Sequence, residues 1–159
     1  MKAVAVFPGS REVKIVHHEF PRISLPDQVT LRMLDIGICG TDKEICTFEY
    51  GTPPPGDDHL VIGHESLAEI VQVGTAVERL QVGDLVVPSV RRPCPSPECI
   101  ACRSGHQDYC YTGDFSERGI KDAHGYMTEY VVDSERYMTV VPPDLRDFAV
   151  LAEPLTIAE

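Results

Sequence analysis

Six stretches of the chain are rich in Val, Ile and Leu, often alternate with polar residues, and are bounded by Gly, Pro or Asp: residues 2–6, 13–16, 28–36, 66–73, 84–90 and 126–133. That pattern predicts β-strands. Gly83 and Asp84, just before Leu85-Val86-Val87, predict a turn leading into a strand. Helical periodicity is scarce, and before residue 144 only residues 40–48 read as a short helix. Residues 144–153 read as a loop entering a helix, which Leu155-Thr156-Ile157-Ala158-Glu159 would continue, with Pro154 at a tolerated first-turn position. The fold class predicted is mostly β, with many short strands, long loops and few short helices, as in a barrel or barrel-like sandwich.

Two loops interrupt this pattern. Gly51-Thr52-Pro53-Pro54-Pro55-Gly56-Asp57-Asp58 reads as a rigid, polar surface connection. Residues 91–125 carry four of the six cysteines and little strand signal. A loop of that length inside a compact domain is functional or is held by something other than an apolar core.

Composition narrows the class. A length of 159 residues fits one domain, or a domain with the start of another. Fourteen Lys+Arg against 25 Asp+Glu leave a net charge of -11, which disfavours nucleic acid and anionic membranes as partners. No stretch approaches the roughly 18 apolar residues of a membrane span. The first seven residues are too short an apolar run for a signal-peptide core. The absence of Asn excludes N-glycosylation. The sequence is therefore read as cytoplasmic, where clustered cysteines more often hold metal than disulfides.

Cys94, Cys99, Cys102 and Cys110 follow the spacing C-x4-C-x2-C-x7-C. Four thiolates from one short segment suit tetrahedral Zn²⁺, and a closed four-sulfur site is structural. Free or disulfide-bonded cysteines are the other reading. A second constellation comprises Cys39 in Cys39-Gly40-Thr41-Asp42 and His64-Glu65 after Gly63. Mixed sulfur, nitrogen and oxygen ligands go with catalytic zinc, which keeps a position for water or substrate. By spacing alone, a small buried Cys and a hydrogen-bonded His are the commoner readings and stay open.

Gly37-Ile38-Cys39-Gly40-Thr41-Asp42, Gly63-His64-Glu65, Val82-Gly83-Asp84-Leu85-Val86 and the four-cysteine lobe, in that order, resemble the zinc-dependent medium-chain alcohol dehydrogenase family. Arg91-Arg92-Pro93-Cys94, the run from Cys110 to Ile120, His124-Gly125-Tyr126 and Ala152-Glu153-Pro154-Leu155 look most like its glucose dehydrogenase branch. The resemblance implies a GroES-like barrel over residues 1–150 with a zinc-bound loop lobe. Residues 151–159 would start the helix connecting to a nucleotide-binding domain. No G-x-G-x-x-G occurs, so the family's Rossmann domain is absent from this chain.

By the same resemblance, Cys39 and His64 would hold a catalytic zinc, with Glu65 and Glu153 as carboxylate ligands, directly or through water. Cys94, Cys99, Cys102 and Cys110 would hold a structural one. Asp42 would orient the zinc-bound His, Thr41 would hydrogen-bond the reacting hydroxyl, and Asp114 and Glu153 would contact the substrate. The implied activity is oxidation of a sugar or polyol hydroxyl, glucose C1 to gluconolactone, by hydride transfer to NAD or NADP. The full-length enzyme would be a homo-oligomer, and this chain alone is expected to be inactive. The alternatives are a threonine or polyol dehydrogenase of the family, or a non-catalytic zinc-binding β domain used for partner contacts. Three positions depart from the branch: Glu44 replaces a common His, Ser89 a common Asn and Asp114 a common Glu. Two extra residues lie between Cys94 and Cys99. Cys46 is expected to be buried, His17 and His18 to lie on a solvated face, Glu117 and Arg118 to form a surface pair, and His59 and His106 have no identifiable partner.

Overall fold

The structure is a computed structural model that describes residues 1–158; Glu159, the last residue of the expected connecting helix, lies outside the described residues. Eleven strands run β1 (Lys2–Phe7), β2 (Glu12–His17), β3 (Gln28–Ile36), β4 (Leu60–Val61), β5 (Ser66–Val73), β6 (Leu85–Pro88), β7 (Arg91–Arg92), β8 (Ser116–Arg118), β9 (Asp122–Ala123), β10 (Tyr130–Ser134) and β11 (Met138–Val140). Three short α-helices, α1 (Gly40–Cys46), α2 (Ile100–Arg103) and α3 (Ala152–Ala158), complete the element list with four single 3₁₀ turns. None of the described helices is long and apolar enough to cross a membrane.

The strands form a five-stranded sheet in the order β10-β3-β5-β6-β11 and two three-stranded sheets, β2-β1-β4 and β7-β8-β9. Pairing is antiparallel except between β8 and β9. Alternation puts Val29, Leu31, Ile70 and Val86 into one core around the fully buried Tyr126. A second core, Val6, Ile45, Leu60, Ile62 and Ile120, fixes α1 against the small sheet and β4. This is the mostly β architecture the hydrophobic pattern predicts.

The differences have local causes. Residues 126–129 are no strand: Tyr126 N donates to Gly63 O at 2.8 Å, Met127 N to Ile62 O at 2.9 Å, and Met127 O accepts from Val4 N at 2.9 Å. The segment crosses between two sheets instead of lying in one. Gly63 permits this with φ +90, where an added Cβ would lie 2.9 Å from Met127 N. Strand β6 stops at Pro88, which cannot donate to a ladder. Residues 143–151 hold two 3₁₀ turns, and α3 begins at Ala152, placing Pro154 in its first turn, where N–H groups have no intrahelical partner.

Candidate functional site

Cys39 is the N-cap of α1. Its Sγ accepts from Thr41 N at 3.3 Å, and Asp42, at the third helical position, returns a carboxylate oxygen to Cys39 N at 3.0 Å. This reciprocal cap puts the sulfur at the helix entrance and the carboxylate inside the protein. Asp42 is 2% exposed, and its other oxygen accepts from Gly63 N at 3.3 Å. One side chain thus ties the start of α1 to the turn that carries His64 and Glu65.

His64 Nε2 lies 3.0 Å from Cys39 Sγ, and its Nδ1 lies 3.6 Å from Asp42 Oδ1. The latter contact is an ion pair and too long for a hydrogen bond. His64 Nδ1 is correspondingly a buried nitrogen without a hydrogen-bond partner. Burial works against the imidazolium, but the Asp42 carboxylate and then the Cys39 sulfur outweigh it, so the His64 pKa rises to about 9. Glu65, also buried, turns its carboxylate into the space over Gly37, where any Cβ would collide with it.

Donor atoms of Cys39, His64 and Glu65 all lie within 4.8 Å of one another. Sulfur, imidazole and carboxylate at that spacing suit Zn²⁺, and three protein donors leave a coordination position free. The His64 Nε2 beside the Cys39 sulfur, and the Glu65 carboxylate that the absence of a Cβ on Gly37 lets in, fit such an ion. The donors open into a cleft of about 1110 Å³ whose lining includes Thr41, Ser89, Arg91, Glu117 and Glu153. Glu153 faces this cleft from α3 but lies outside the three-donor group. Burial chiefly, and then Glu65 and Asp42, push its carboxyl pKa up, while His64 pulls it down.

Asp114 is elsewhere. It is exposed on the turn after the cysteine lobe, its N–H donating to Thr112 Oγ1 at 3.3 Å, and it does not line the cleft. Glu117, three residues on, does. Arg91 Nε and an Arg91 terminal nitrogen donate to one Glu117 oxygen at 3.0 and 2.8 Å, leaving the second oxygen free. Glu117 and Arg118 are therefore no surface pair, because Arg118 turns the other way. With Arg92 it shares the buried carboxylate of Asp133, at 2.9 and 2.6 Å. Arg92 also donates to Ser89 O at 2.7 Å, so this ion cluster supports the cleft wall from behind.

Cys94, Cys99, Cys102 and Cys110 converge, with all four sulfurs within 4.8 Å of one another. None of the six cysteines is paired in a disulfide in the structure. Cys99 caps α2 and Cys102 lies within it, so the C-x2-C pair spans one turn. Burial pushes the Cys102 thiol up to about 12, while the Thr112 hydroxyl holds Cys110 down to about 6. Four such sulfurs can shed their protons together only around a cation, and the set fits tetrahedral zinc. The buried cluster here is made of cysteines alone, with no aliphatic core beneath it. Cys46 is half-buried against the second core and belongs to neither group.

The profile of the alcohol dehydrogenase GroES-like domain matches residues 25–143. The chain is 44% identical over 160 residues to a glucose 1-dehydrogenase of Methanocella arvoryzae, covering 100% of this chain and 44% of that protein. It is 43% identical to one of Thermoproteus tenax, again covering 44% of the relative. The chain thus spans less than half the length of the curated relatives it matches. Among solved structures, the Haloferax mediterranei glucose dehydrogenase in complex with NADP, Zn and gluconolactone superposes with a TM-score of 0.89 at 35% identity, over 99% of this chain and 43% of that one. Escherichia coli galactitol-1-phosphate dehydrogenase superposes at 0.82 with 25% identity, over 99% of this chain and 43% of that one.

Proposed function

The chain belongs to the alcohol dehydrogenase GroES-like domain family, and we propose that it is the zinc-holding, substrate-binding part of a dehydrogenase that oxidises a sugar hydroxyl, glucose C1 in particular, with NAD or NADP as hydride acceptor. The observation that carries the reading is the convergence of Cys39, His64 and Glu65 within 4.8 Å at an open cleft. A purely structural metal site closes on itself, as the four-cysteine lobe does. The glucose preference is drawn from the relatives and from the complex with gluconolactone.

In this reading Cys39, His64 and Glu65 hold the zinc, with Glu153 of α3 lining the same cleft. Bound there, zinc supplies Lewis-acid polarisation that lowers the pKa of the reacting hydroxyl. Asp42 keeps the His64 ring aimed at the metal through its Nδ1 side. Thr41, which lines the cleft from the first turn of α1, takes a hydrogen bond from the reacting hydroxyl and starts its proton toward solvent. The free Glu117 oxygen accepts from sugar hydroxyls, since the Arg91 guanidinium occupies its other oxygen and holds it in place. This gives Glu117 the contact that sequence comparison had placed at Asp114.

Cobalt substitution tests the reading. Co²⁺ at the mixed site gives visible bands that respond to ligands, and glucose or gluconolactone should shift them, with the response weakened in Glu117→Gln and unchanged in Asp114→Asn. A spectrum indifferent to both sugars would remove the sugar assignment.

A further inference from the structure

Three histidines outside the cleft lie together although 41 and 65 residues separate them in sequence. His18 follows β2, His59 precedes β4 and His124 lies between β9 and β10. The His18 and His59 Nε2 atoms are 3.4 Å apart. The His59 ring is stacked between Phe7 at 5.0 Å and His124 at 5.2 Å, which fixes its direction. We propose that His18 Nε2 and His59 Nε2 form a separate, exchangeable site for a divalent transition cation such as Zn²⁺, completed by water and by rotation of the exposed Asp57 carboxylate toward the ion.

The hydrogen bonds assign the protons: with no ion present His18 Nε2 donates to His59 Nε2, and an ion would take the place of that proton, leaving neutral His18 protonated on Nδ1. Asp58 accepts from His59 Nδ1 at 2.8 Å, so the proton of neutral His59 sits on Nδ1 and its Nε2 carries the lone pair. A carboxylate behind a ligand imidazole is the usual device for orienting and strengthening it. Val61 N donates to His124 Nδ1 at 3.1 Å, so neutral His124 carries its proton on Nε2 and gives it to Asp57 Oδ2 at 3.0 Å. His124 is thereby a positioning residue that holds Asp57 and is not itself a ligand. Asp57 is exposed on its turn, and its second oxygen is free to swing.

Two nitrogens bound tetrahedrally at about 2.0–2.1 Å lie about 3.3–3.4 Å apart, the separation found here. Burial chiefly, then His59 and the terminal amine, lower the His18 pKa against the opposing pull of Asp57. Burial and His59 likewise lower that of His124. Imidazole with one carboxylate selects zinc, copper or nickel over Mg²⁺.

The experiment uses protein loaded with zinc at both cysteine-containing sites and then dialysed, titrated with further Zn²⁺ while imidazole ¹⁵N resonances are followed. One additional equivalent should move His18 and His59 Nε2 together and leave His124 Nδ1 in place, and Mg²⁺ should move neither. Asp58→Asn, a change at an exposed side chain, should weaken this ion by about tenfold or more. His59→Gln should abolish it, and His17→Ala should not. No third equivalent, binding that survives His59→Gln, or shifts confined to His17 or His106 would overturn the proposal.

Discussion

Replacing Asp42 with Asn changes one charge at the point where the helix cap, the proposed metal ligand His64 and the turn before it meet. Asn keeps one oxygen, but its amide group must face either Cys39 N or Gly63 N, both of which now donate to the carboxylate at 3.0 and 3.3 Å. Losing one hydrogen bond to a buried charged group is worth about 1.5–3 kcal/mol. The substitution also removes the main partner of the His64 imidazolium. A rise from 6.5 to about 9 amounts to about 3 kcal/mol, shared between Asp42 and Cys39. A raised folded-state pKa contributes stability that is fully present below pH 6.5 and is lost as pH climbs through about 9. In chelator, the deficit of Asp42→Asn relative to wild type should therefore be large near pH 6 and shrink by more than about 1 kcal/mol near pH 9.5. Urea unfolding at the two pH values measures this. In parallel, competition with a chromophoric chelator should show zinc at the mixed site weakened about 10–100-fold, with the four-cysteine zinc unchanged. A deficit equal at both pH values, or zinc affinity at the mixed site indistinguishable from wild type, would refute the coupling of Asp42 to His64.

Asp133→Asn should destabilise the fold by about 3–5 kcal/mol, because it leaves Arg92 and Arg118 as adjacent, largely buried cations; a urea midpoint close to wild type would mean that water already solvates them. Cys99→Ser should release one zinc per chain and speed amide exchange across residues 99–106, whose backbone bonds surround α2, while Leu31 and Ile70 in the main core stay protected. Loss of core protection at the same time would contradict a lobe held separately by metal.

Strand β3 was legible because Gln28 to Met33 alternates polar and apolar residues, and β1 and β5 because each is a run rich in Val, Ile, Leu and Ala that packs into a core. The four-cysteine group was legible because all its sulfurs come from one segment. What escaped were structures made by partners distant in sequence. Strands β4, β7 and β9 have two residues each, too few to show a period. Residues 126–129 carry a strand-like composition, yet their backbone bonds go to Gly63, Ile62 and Val4, and only packing around Gly63 decides that. Glu117 and Asp114 are both acidic and three residues apart; the Arg91 fork, from 26 residues upstream, is what aims one of them into the cleft. His18, read as solvated, and His59, read as partnerless, meet only because the β1–β2 hairpin end folds against the loop before β4.

The central claim is that two distinct metal sites exist, one closed and one open to a cleft. Zinc per chain after dialysis, measured by elemental analysis on wild type and Cys39→Ala, tests it most directly. The account predicts two ions in wild type and one in Cys39→Ala, with the four-cysteine lobe still filled. One ion in both proteins would show that Cys39, His64 and Glu65 hold no metal in this chain, and the open site would have to be abandoned.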